Sequence, residues 1–110
     1  MRTMDDALAL RLNALHSQNE TLKYARAEYL LKESERKHYL ATLVMSATGK
    51  SHAERETAAY ATQEWREFAT ALANLEAVFE YEKLKWEIID KAFLAEYATF
   101  KIDNDTIKRG

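Results

Sequence analysis

The sequence predicts an all-α protein: a long antiparallel helical hairpin, coiled-coil-like, that assembles into an oligomeric helical bundle. Three observations carry this. The chain of 110 residues has no Pro and only two Gly, Gly49 and Gly110, so it has few places to turn, which disfavours sheets and favours long helices. Large apolar residues recur at every seventh position through both halves of the chain. One stop-and-start signal lies between the halves, at residues 47–54.

The first helix is expected over about residues 5–47. From Leu8 the sevenths are Leu15, Leu22, Tyr29, Arg36 and Leu43, and only Arg36 breaks the row. The row four residues later, Leu12, Asn19, Arg26, Glu33, Leu40 and Ala47, is apolar at its ends and polar in the middle. Ser17 and Glu20 have the spacing of a capping box, which marks a candidate break. The row from Leu8 to Leu22 crosses that point, so one helix is favoured.

The turn is expected at about 48–51. Gly49 suits a left-handed position just past a helix end, where a Cβ is penalised. Ser51, with Glu54 three residues on, reads as a capping box opening the next helix. A stop directly beside a start makes the two helices antiparallel.

The second helix is expected over about 52–100, roughly 50 Å of seam at about 1.5 Å per residue. Its sevenths are Trp65, Leu72, Phe79, Trp86, Phe93 and Phe100, with companions Phe68, Leu75, Glu82, Ile89 and Glu96. The tail, 101–110, loses the row and is expected to fray or form a short extra turn. The whole chain, 1–110, is thus read as a single hairpin domain. Folding it between Lys50 and Ser51 sets Arg36 opposite Trp65, Tyr29 opposite Leu72, Leu22 opposite Phe79, Leu15 opposite Trp86 and Leu8 opposite Phe93.

Two helices packed through one seam leave the flanks of large aromatic rings wet. A further apolar row, Tyr60, Ala71, Val78 and Ile89 with Tyr81 and Tyr97 nearby, adds to that surface. Each large apolar side chain gains roughly 1.5–3 kcal/mol on full burial, so a homo-oligomer or a helical partner is expected to complete the bundle. Trp65, Phe79, Trp86 and Phe93 are the expected oligomer-interface residues.

Chemical motifs are sparse. Gly49-Lys50-Ser51 lacks the earlier Gly of a phosphate loop, since Val44 stands there, and no strand precedes it. Glu35 and His38 have a Glu-x-x-His spacing, but a di-metal bundle needs two such motifs and two further Glu. Asp103-Asn104-Asp105 lacks the Gly of a calcium loop, Lys108 standing in its place. There is no Cys, which removes disulfides and thiolate metal sites. No catalytic residue, no metal and no cofactor is expected, and the protein is read as not an enzyme. The start of the chain, Met1 to Asp6, lacks the apolar core of a signal peptide, and no apolar stretch is long enough to span a membrane. A cytoplasmic protein without membrane contact is expected.

The net charge is -2, which does not describe a general polyanion binder. The charges from Lys32 to His38 read first as a solvated helix face. The functional alternative is a basic patch of Arg26, Arg36, Lys37 and His38, continued by Lys50, His52 and Arg55 near the turn. Tyr24, Tyr29, Tyr39, Tyr60 and Tyr81 are interleaved with basic residues, a pattern that serves stacking on single-stranded bases or oligomer contacts equally well.

The order of several features resembles a known family. Tyr24-Ala25-Arg26-Ala27-Glu28, the run Glu35-Arg36-Lys37, Leu40 to Leu43 leading into Gly49-Lys50-Ser51, and the later Leu75-Glu76-Ala77 and Glu82-Lys83-Leu84-Lys85-Trp86-Glu87 resemble the small recombination mediators of T4-type phages, the UvsY family. The likeness covers about residues 22–98. It implies a phage protein of the host-cell cytoplasm that assembles into an oligomer, binds single-stranded DNA and aids a recombination protein. The secreted Trp-x-Gly hairpin proteins match less well, because the turn here has Gly49 but no Trp. Two functions are therefore expected in order: a recombination or replication accessory that binds single-stranded DNA, through Arg26, Arg36, Lys37, Lys50 and Arg55; or a structural or adaptor protein that docks a helical partner without nucleic acid.

Overall fold

The computed structural model describes residues 4–109. They form three helices: α1 (Met4–Ser46), α2 (His52–Tyr60) and α3 (Gln63–Arg109). Among the described residues there is no strand. The all-α expectation holds, and α1 runs unbroken past Ser17.

The chain divides into two compact units, one of Met1–Tyr24 with Glu80–Gly110 and the other of Ala25–Phe79. In the first unit Arg11 reaches Glu96 and Gln18 reaches Glu82, so α1 and α3 run antiparallel. In the second, Tyr29 stacks on Phe79 and Tyr39 on Phe68, which again pairs α1 with α3 in opposite directions.

The α3 seam is the best-read feature. Every seam position assigned from Trp65 to Phe100 is buried or half-buried. On α1, Leu8, Leu15, Leu22, Tyr29 and Leu43 are half-buried and Arg36 is exposed. The companion row differs from expectation. Leu12, Asn19 and Arg26 are exposed while Glu33, Leu40 and Ala47 are half-buried, and Gln18, Ala25, Lys32 and Tyr39 are buried or half-buried as well. A coiled-coil seam alternates steps of three and four residues, and here the inner positions three residues on hold polar Gln18 and Lys32, which disguised the row.

The connection also differs. The second helix is not continuous from residue 52, because α2 ends at Tyr60 and α3 begins at Gln63. Thr62 makes the break. Its hydroxyl accepts the Trp65 amide at 3.1 Å and donates to the Ala59 carbonyl at 2.7 Å, so it caps α3 as an N-terminal Thr does. At its far end α3 runs on to Arg109 instead of stopping near residue 100. Nothing in Lys101-Ile102-Asp103-Asn104-Asp105 is a Pro or Gly that would end a helix.

The Ser51 cap is present, with the Glu54 carboxylate on the amide one residue before Ser51. Ser51 Oγ accepts the Glu54 amide at 3.1 Å, and Glu54 Oε2 accepts the Lys50 amide at 2.7 Å. Gly49, however, is not left-handed, since among the described residues no Gly has a positive φ. It is required for a different reason. A Cβ there would lie 2.9 Å from the Arg55 nitrogen and 2.9 Å from Glu54 Cβ, closer than real atoms approach.

The expected register is corrected by the same connection. Phe79 stacks on Tyr29, at a centroid distance of 5.8 Å, where Tyr29 had been set against Leu72 and Phe79 against Leu22. Trp86 reaches Asn19, where Leu15 had been expected. The residues of α2 belong to the link and move the point of reversal later in the chain than Lys50–Ser51.

Gly49→Ala tests the turn. Substituting Ala where it fits gains about 0.4–1 kcal/mol through the unfolded chain, but overpacking costs about 1–3 kcal/mol. The contact to Arg55 is to backbone, which yields least, so the crowding wins. Gly49→Ala is expected to lower the urea midpoint, and an unchanged or raised midpoint would show that the turn has room.

Candidate functional site

The seam of the first unit holds polar groups at two inner positions of α3, Glu82 and Glu96, and α1 answers both. Gln18, only 5% exposed, donates from Nε2 to the Glu82 carbonyl at 3.0 Å and to Glu82 Oε2 at 2.6 Å. Beside it the Trp86 indole N–H donates to Asn19 Oδ1. Arg11 lies 3.9 Å from Glu96. Among the described residues no buried side-chain polar atom lacks a partner.

The seam of the second unit is aromatic. Tyr39 stacks on Phe68 at 4.8 Å, Trp65 on Phe68 at 5.7 Å, and Tyr60 meets Trp65 edge-on at 5.2 Å. The Lys32 ammonium lies 4.7 Å from the Phe68 ring centre, within cation–π reach. The expected register set Arg36 opposite Trp65. Instead Arg36 is exposed and pairs with Glu33 at 2.9 Å, because Lys32 occupies the inner position.

The four residues expected at an oligomer interface are thus engaged within the chain. Trp65, Phe79 and Trp86 make the contacts above, and Phe93 stacks on Tyr97 at 6.4 Å. Each is half-buried. None heads the exposed apolar surface.

The basic candidates do not converge. Arg26, Lys37 and Lys50 are exposed. Arg55 is half-buried and donates to the Gly49 carbonyl at 3.3 Å, so it holds the turn. Lys37 and Arg55 do share an open groove of about 430 Å³ with His52, Glu56, Val44 and Met45. His52 pairs with Glu56 at 3.4 Å, so an acid lies inside the basic groove. Among the described residues no three of His, Asp or Glu gather to hold a metal ion, and no helix is long and apolar enough to cross a membrane.

The feature the sequence reading missed is the outer face of α3. Tyr81, Leu84 and Ile88 are 62%, 59% and 69% exposed, and Ala95 and Ala98 are exposed as well. Their steps alternate three, four and seven residues, a second heptad row on the side opposite the seam. The expected second row was partly misassigned: Ile89 and Ala71 are half-buried, while Tyr60, Val78, Tyr81 and Tyr97 are exposed. Its signal in the sequence is a second heptad phase, masked by the larger residues of the seam.

No protein-family model matches this sequence, and no curated protein and no solved structure matches it. What the chain does rests on its own side chains.

The Gln18–Glu82 contact has a measurable weight. Gln18→Ala leaves a carboxylate facing an apolar seam, and the expected loss is about 1–3 kcal/mol. Replacing both residues by Leu is expected to recover most of that loss, because an apolar pair of similar volume needs no partner. Gln18→Leu, Glu82→Leu and the double Leu variant compared by urea denaturation check this as a double-mutant cycle; losses that simply add would show that the hydrogen bonds carry no coupling.

Proposed function

We propose that this protein is a non-enzymatic helical assembly protein that works by docking an α-helix along the outer face of α3. One observation carries the reading. α3 is apolar on two opposite faces, and α1 covers only one. Tyr81, Leu84 and Ile88 stand exposed in one row, and several large side chains left wet forgo roughly 1.5–3 kcal/mol each. A seven-residue repeat matches the groove of another helix and no flat surface, because it stays in line only along a second helix.

The accessory reading, with single-stranded DNA, comes second. It is favoured by the groove where Lys37, His52 and Arg55 meet and by exposed Arg26 and Lys50. It is weakened by Glu56 in the groove and by the Glu33 carboxylate on Arg36. Binding of this kind would rest on phosphate contacts and fall steeply with salt.

Leu84→Glu combined with Ile88→Glu separates the readings. Both side chains are exposed, so the helicity of each chain is expected to stay near that of the unaltered protein. Light scattering at micromolar concentration is expected to give an assembly for the unaltered chain and 12.8 kDa for the variant. An assembly of unchanged mass in the variant would place docking elsewhere and end this reading. An unaltered chain that is itself 12.8 kDa would remove self-assembly and leave docking to a different protein. Salt-sensitive binding of a labelled single-stranded oligonucleotide, unaffected by the variant, would favour the accessory reading.

A further inference from the structure

Resting on the helix-docking reading, we infer that the helix docked on the outer face of α3 is α3 of a second copy of this chain, running antiparallel about a two-fold axis beside Ile88 and Lys91.

Between Tyr81 and Ala98 the row is ordered by size. Its N-terminal members are large: Tyr81, Leu84 and Ile88. The members that follow, Ala95 and Ala98, are small, and Ile102 at the next position beyond them is large again. All are exposed. Antiparallel pairing of two such rows sets Tyr81 of one copy against Ala98 of the other, and Leu84 against Ala95. Each layer then combines a large knob with a shallow position, which lets side chains interdigitate at ordinary packing density. Parallel pairing would set Tyr81 against Tyr81 and Ala98 against Ala98, crowding one end and leaving the other thin. The gradient is self-complementary only in the antiparallel sense, as an isologous interface requires.

Charge agrees. Lys91 is the one polar residue in the row between Tyr81 and Ala98, and it is exposed. Across the axis it faces Ile88 of the second copy, with Glu87 of that copy adjacent. Its aliphatic stem can lie along the row while its ammonium reaches that carboxylate. Parallel pairing would bring Lys91 against Lys91. At the edge of the row Glu80 faces Lys101 of the second copy. Glu80, Glu87, Lys91 and Lys101 are exposed, and among the described residues none of them makes an ion pair within the chain. A single polar residue in a helical interface fixes register at some cost in stability, and Lys91 is placed to do so.

The chain has no Cys, which makes disulfide trapping clean. In the antiparallel register Leu84 lies opposite Ala95 of the second copy, while the two Leu84 positions are roughly 16 Å apart along the axis at about 1.5 Å per residue. A disulfide needs Cα atoms within about 7 Å. Full-length Leu84→Cys and Ala95→Cys proteins, mixed under mild oxidation, are expected to form a disulfide-linked heterodimer of twice 12.8 kDa, while each alone gives little. Homodimers from each variant alone, and few mixed ones, would establish the parallel arrangement and overturn the inference. So would the absence of any cross-link in an assembly that Leu84→Glu with Ile88→Glu still dissolves; the docking face would stand and its occupant would be a different helix. As a check against substitutions that merely disturb packing, Glu87→Lys or Lys91→Glu alone is expected to weaken the dimer at least several-fold, and the two together to restore it. Failure of the pair to restore what each removes would overturn the register.

Discussion

Gln18 is the polar side chain that the described residues bury, and its amide nitrogen donates to both the carbonyl and the carboxylate of Glu82. A seam of apolar residues alone has no memory of register, since a helix sliding by a heptad meets a similar surface. A buried amide is different, because losing the match leaves it away from water without a partner. With Asn19 on Trp86 and Arg11 near Glu96, this layer gives the first unit one alignment in place of several. The second unit uses shape for the same purpose. Tyr29 on Phe79 and Tyr39 on Phe68 are ring stacks, and a ring packs well only against its own partner.

These contacts leave little enclosed. Among the described residues the buried apolar side chains are Ala25, Val44, Ala59 and Phe68, three of them small. A helix pair covers a stripe on each member and no more, so burial stays partial even where the seam is continuous. That constraint links the fold to the proposed role. The rings of Trp65, Phe79, Trp86 and Phe93 are engaged within the chain, and the proposed docking role rests on the opposite face of α3, where Tyr81, Leu84 and Ile88 are exposed.

The α3 seam was legible because its residues are large, apolar and regular from Trp65 to Phe100. The α1 companion row was not, because Gln18 and Lys32 are inner residues with polar names: one is satisfied by Glu82, and the other reaches over the Phe68 ring. Periodicity counts apolar residues and passes over polar ones whose partners lie far along the chain. The Ser51 cap was legible because its signal is local. The Thr62 cap, equally local in geometry, lacks an acidic residue three positions on, where Trp65 stands. Gly49 was found for the wrong reason: sequence marks a glycine as special but does not say whether φ or a neighbour's backbone demands it. The basic candidates could not be ranked from sequence, since whether Arg36 meets Glu33 or Arg55 meets Gly49 depends on rotamers.

The two interruptions around α2, at 47–51 and at 61–62, bear on how this chain can change over evolutionary time. Within an uninterrupted helix, one inserted residue rotates everything beyond it by about 100° and turns the seam outward. At an exposed non-helical joint the same insertion is absorbed by a few backbone dihedrals. Between residues 47 and 62, α1 and α3 are therefore uncoupled in phase, and length variation that either long helix would reject has a place to accumulate. Gly49 sets the limit, because any lengthening there must keep Glu54 and Arg55 clear of the chain that passes them.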